Sequence, residues 1–79
     1  MKLTSEIIRI CRTNLGMSQG KLAREAGISC PLLGAIERDE RALLPHVESR
    51  IRKSIPLTDG EIADLVSVYH RVNGRSAVI

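Results

Sequence analysis

Tyr69 is the only aromatic side chain in the chain, so any interior must be assembled from Leu, Ile, Val and Ala. Such a core is small, and 79 residues leave room for one of them, which makes this a single domain. The shortage of aromatics also excludes function classes. Single-strand binders and RNA-reading sheets stack bases on rows of Phe, Tyr or Trp, and no such row exists here. At 43% hydrophobic and 27% charged residues, with glycines and prolines scattered singly, the composition is that of a packed chain rather than a disordered one.

The apolar positions recur at three and four along almost the whole chain, without the alternation strands require, so the expected fold class is all-α. A first helix opens at Thr4 or Ser5, carries Ile7, Ile8, Cys11 and Leu15, and stops at Gly16. Ser18 starts a second, with Leu22, Ala23 and Ala26 on one side and Gly27 ending it. Ser29 then caps a third helix, with Pro31 in its first turn, that runs to about Glu37. Its Leu33 and Ile36 point inward, leaving Cys30, Leu32, Gly34 and Ala35 facing elsewhere. The charged run Arg38-Asp39-Glu40-Arg41 is a loop. Pro45 opens a fourth helix with the stripe Val47, Ile51, Ile55, which Pro56 ends. Thr58 and Glu61 form a capping box for a fifth helix over 59–72 that stops near Asn73-Gly74. The domain therefore spans 1–74, followed by a short tail over 75–79.

Charge is unevenly spread. Residues 1–55 hold ten basic and six acidic side chains, whereas residues 56–79 hold two and three. The basic part fits a polyanion such as duplex nucleic acid, and fits a solvated surface equally well. Cys11, Cys30, His46 and His70 have no close metal-ligand spacing, so neither a metal nor another cofactor is expected. A chain with one thin core has little room for a catalytic pocket, and an enzyme is not expected. Two unpaired thiols within helical patterns, and no long apolar run behind Lys2, point to a cytoplasmic protein with no membrane partner.

The segment 18–37 joins two short helices through Gly27-Ile28-Ser29, a compact corner that forces a steep crossing. Together with Leu15-Gly16-Met17-Ser18-Gln19, Leu22-Ala23, Leu33 and Ile36-Glu37-Arg38, it resembles the Cro and lambda-repressor type of helix-turn-helix, the XRE family, over about residues 7 to 55. The resemblance implies a compact five-helix, lambda-repressor-like DNA-binding domain with the third helix in the major groove. It also implies a phosphate contact at Gln19 and a structural ion pair between Arg12 and Glu37. Small regulators of this shape commonly serve phages and other mobile elements.

This chain departs from the family on the third helix, where amides, hydroxyls and guanidiniums normally read base edges. Here Cys30, Pro31, Leu32, Gly34 and Ala35 take those places. More specificity would then come from Lys21, Arg38 and Arg41 at phosphates or in a narrow minor groove, and from DNA shape, with Ser18 and Ser29 also among the DNA-binding residues. Asp39 stands where the family often has glycine. The expected function is a sequence-specific transcriptional regulator, a repressor on a near-palindromic operator in double-stranded DNA. The broad apolar arc of the fifth helix and the tail suggest a homodimer through Leu65, Val68, Tyr69, Val72, Val78 and Ile79. The alternative is a protein-binding antitoxin or anti-regulator that uses the apolar face of the third helix on a partner protein.

Overall fold

The computed structural model describes residues 1–78, with side chains up to Asn73. Among these residues the chain is all-α, with five helices and no strand: α1 (Ser5–Asn14), α2 (Gln19–Ala26), α3 (Cys30–Glu37), α4 (Pro45–Lys53) and α5 (Asp59–Val78). Each of the first three starts at a hydroxyl cap. Thr4 accepts from the Ile7 amide, Ser18 from the Lys21 amide and Ser29 from the Leu32 amide. Such a cap contributes about 1 kcal/mol to a helix too short to hold itself together by propensity. α5 opens with a reciprocal box, in which the Glu61 carboxylate accepts from the Thr58 amide at 2.9 Å and the Thr58 hydroxyl from the Glu61 amide at 3.1 Å.

The corner between α2 and α3 is set by Gly27, whose φ of +71° is the left-handed angle that ends a helix at little cost for glycine alone. Beyond it, the Ile28 amide reaches back to the Ala23 carbonyl at 2.9 Å and the Gly27 amide to that of Arg24 at 3.2 Å, closing the end of α2. The α2–α3 pair rests on α1 and α4, and α5 lies along α1. Leu3, Ile8, Cys11, Leu22, Leu33, Ile36, Ile51 and Ile62 are fully buried where the helices converge. Truncating one of the larger of these side chains to Ala should cost about 2–5 kcal/mol.

Several sequence expectations need correction. α4 ends at Lys53 rather than at Pro56; Ile55 is buried from the connection beyond the helix, because that connection folds back over the core. α5 does not stop near Asn73-Gly74 but continues through the expected tail to Val78. A glycine ends a helix only where the chain turns left-handed, and otherwise weakens it by about 1 kcal/mol. Ile10 is buried together with Ile8 and Cys11, because α5 covers a flank of α1 that the periodicity leaves open, while Ile7 and Leu15 are half-buried at the margin. Of the residues expected to face away from the core, Gly34 is buried because the Arg38 and Gln19 side chains cover it, and Leu32 is half-buried because the start of α4 brings core side chains against it.

Candidate nucleic-acid interface

Behind α3 lies a single acidic hub. Glu37, in the last turn of α3, is only 4% exposed. Arg12 of α1 grips it bidentately, Nε to Oε2 at 2.8 Å and Nη2 to Oε1 at 3.0 Å, and gives its remaining nitrogen to the Met17 carbonyl at 2.9 Å. Gln19 donates through Nε2 to the same Oε1 at 3.1 Å, and Arg9 donates to the Glu37 carbonyl at 3.0 Å. Arg12 and Glu37 thus meet as a nearly buried pair that ties α1, α2 and α3 together. No buried side-chain polar atom among the described residues is left without a partner.

The outward side of α3 follows from that anchoring. With Leu33, Ile36 and Glu37 held inside, Cys30 and Pro31 emerge exposed at the helix start, followed by half-buried Ala35 and exposed Arg38. Ser18 and Ser29 are exposed caps at the beginnings of α2 and α3. Gln19 is half-buried, its amide nitrogen committed to Glu37 rather than turned outward. Leu32 is half-buried and packed on the core. It shares a hollow with Ile36, Arg41, Ala42, Leu44, His46 and Val47, between α3 and the start of α4. Arg41 therefore stands beside α3, whereas Lys21 lines a different hollow with Lys53, formed by the turn between α1 and α2, by α2 and by the end of α4.

Gly34 is covered from both sides. An ideal Cβ there would lie 3.1 Å from Nη1 of Arg38 and 3.4 Å from Oε1 of Gln19. Arg38 also donates through Nη2 to Oε1 of Glu40 at 3.0 Å, and both of these side chains are 58% exposed. The mutual hydrogen bond, reinforced by opposite charge, raises the Arg38 pKa and holds the Glu40 carboxyl below the usual carboxylate range.

Asp39 occupies the left-handed region at φ +60°, the conformation that explains why a glycine would also suit this position. Its carboxylate accepts from the Ser5 hydroxyl at 2.8 Å, and that hydroxyl is also 2.6 Å from the Ile36 carbonyl. Sequence reasoning missed Ser5 and Arg9 as struts under α3. Neither belongs to a recognisable motif, and only the crossing of α1 and α3 brings them there.

On the opposite flank, α5 presents half-buried Leu65, then Val68 at 47% exposed, with Tyr69 and Val72 also exposed. Leu65, Val68 and Tyr69 line a groove with Ile10, Thr13 and Asn14. The side chain of Val78, and Ile79 entirely, lie outside the described residues. Among those residues no three His, Cys, Asp or Glu side chains are placed to hold a metal ion, and no helix is long and apolar enough to cross a membrane. Cys11 is buried and Cys30 exposed, and burial pushes the Cys11 thiol pKa up against the smaller opposing effect of Arg52.

No protein family, curated protein or solved structure matches this chain.

Proposed function

We propose that the chain is a cytoplasmic, XRE-type transcriptional regulator that binds double-stranded DNA with α3 in the major groove. The observation that carries this reading is the mounting of α3. Its inner side is locked to α1 and α2 through Glu37, while Cys30, Pro31 and Arg38 stay exposed on the other side and Arg41 stands beside it. A rigid rod with its start free and cations near its end is what groove insertion requires. Both caps leave helix N-termini at the surface, where amides and the helix dipole favour phosphate.

The regulator acts as a two-fold dimer, a repressor in the mode the resemblance implies, on a near-palindromic operator with half-sites about 34 Å apart. The exposed Val68 and Tyr69 on α5 support this. Charge supports it too: α5 is acidic at Glu61 and Asp64 before Val68 and basic at Arg71 after it, so two copies crossing antiparallel set acid against base.

The experiment is binding-site selection from random duplexes, followed by salt titration of the selected site. An enriched palindrome is expected, with affinity falling steeply as salt rises and weakened further by Arg41→Ala. Val68→Glu should turn a dimer into a monomer in sedimentation and weaken binding to the full palindrome more than to a half-site. No enriched sequence, with salt-indifferent affinity, would refute DNA binding.

A second reading has its own support. Leu44, half exposed beside Leu32 in the hollow between α3 and α4, is an apolar contact point for a partner protein, as in an antitoxin or anti-regulator. Leu44→Glu would abolish that interaction while leaving a DNA complex formed through α3 intact.

A further inference from the structure

An α3 without amides or hydroxyls on its outward stripe leaves open how bases are read, and Gly34 supplies the answer. A glycine in the middle of a short helix weakens it, so the position needs a compensating reason. No backbone presses on Gly34; what a Cβ would meet is the Arg38 guanidinium, with Nη1 at 3.1 Å and Cζ at 3.9 Å, and the Gln19 amide oxygen at 3.4 Å. Arg38, one turn further on, folds back toward the start of α3, as helical side chains lean. Its guanidinium therefore lies over Gly34 while still bonded to Glu40 of the loop, on the stripe that continues from Pro31 through Gly34 and Ala35.

Resting on the DNA reading above, we infer that Arg38 is the base-reading side chain of this protein: its guanidinium, brought over α3 by the missing side chain at Gly34, donates bidentately to O6 and N7 of a guanine. The planar fork matches that edge and makes a contact no other group on the stripe can make. Glu40 is the partner that holds the fork when DNA is absent. The pair is exposed and weak, so a guanine edge displaces it readily. A carboxylate beside the fork also repels phosphate while tolerating the neutral guanine edge, which separates Arg38 from Arg41 in role.

The test is selection from random duplexes with the wild type and with Arg38→Lys, Arg38→Ala and Gly34→Ala, alongside thermal melts monitored by circular dichroism. The wild type should select guanine at one position of each half-site. Placing 7-deazaguanine there should weaken wild-type binding about tenfold and leave binding by Arg38→Ala unchanged. Arg38→Lys, which keeps the charge but not the planar fork, should weaken the preference at that base pair alone while retaining the salt dependence. Gly34→Ala should melt no lower than wild type yet lose part of the same preference, because its methyl displaces the guanidinium. Arg38→Ala that weakens all sequences equally, with the salt slope reduced by about one, would make Arg38 a phosphate contact and overturn the inference while DNA binding stands. Wild-type protein that binds no duplex overturns both.

Discussion

The Arg12–Glu37 pair makes the strongest quantitative demand on the structure. Glu37 is 4% exposed, and the Arg12 side chain is 14% exposed. Replacing Glu37 by Met leaves the guanidinium with only its Met17 bond and leaves the Gln19 amide without its acceptor. Removing one partner of a buried pair costs about 3–5 kcal/mol, and the residual exposure of Arg12 favours the lower end, about 3 kcal/mol. A domain of this size has a total stability of about 4–12 kcal/mol, so the variant should unfold at markedly lower urea and melt about 12–24 °C below wild type. Arg12→Met should cost a similar amount by stranding the carboxylate. The double variant should recover much of both losses, because two methionines fill the site without a charge, giving a coupling of about 2–3 kcal/mol in a double-mutant cycle. Urea unfolding followed by helical circular dichroism measures all four proteins. Single losses below about 1 kcal/mol that add in the double variant would refute the claim that this pair holds α1 and α3 together.

At Asp39, Asp39→Gly should relieve about 1 kcal/mol of left-handed strain and lose a comparable hydrogen bond to Ser5, leaving the melting temperature nearly unchanged; in a Ser5→Ala background the same change should stabilise by about 1 kcal/mol. A clear loss of stability in that background would show that the backbone angle carries no strain. A thiol reagent should label Cys30 rapidly in the native protein and Cys11 only on unfolding, since burial both hides the Cys11 thiol and raises its pKa; equal native rates would contradict the packing of α1. The hydrogen bond from Arg52, then the N-terminal ammonium, depress the Asp59 carboxyl pKa, so its stabilisation is present above the unfolded carboxylate value of about 4 and disappears as pH falls through the lower folded value. Wild type should therefore out-melt Asp59→Asn at pH 6, and the gap should shrink as pH falls below the unfolded carboxylate value; a gap that does not shrink in acid would show the contact does not depend on charge.

The fold was legible where local chemistry decides. Thr4, Ser18, Ser29 and the Thr58–Glu61 box announce helix starts because a hydroxyl or carboxylate has little other reason to precede an apolar run, and Gly16 and Gly27 take the positive φ their placement implies. What remained illegible is tertiary. Leu3 is buried although it precedes α1, its amide held by Glu48. Ile10 is covered because α5 crosses that flank of α1. The candidate interface divides the same way. Exposed Cys30 and Pro31 could be counted from the period of α3, whereas the burial of Gly34, the packing of Leu32 on the core, the inward turn of Gln19 and the folding of Arg38 over Gly34 depend on side chains from different turns and helices meeting.

The meeting of α1, α2 and α3 at Glu37 has a further consequence. Exposed Cys30 and Pro31 make none of the hydrogen bonds that anchor Glu37, which come from Arg9, Arg12 and Gln19. Substitutions at those two positions can therefore accumulate without loosening the corner, whereas one at Gly34 presses on Gln19 and so reaches the anchor itself.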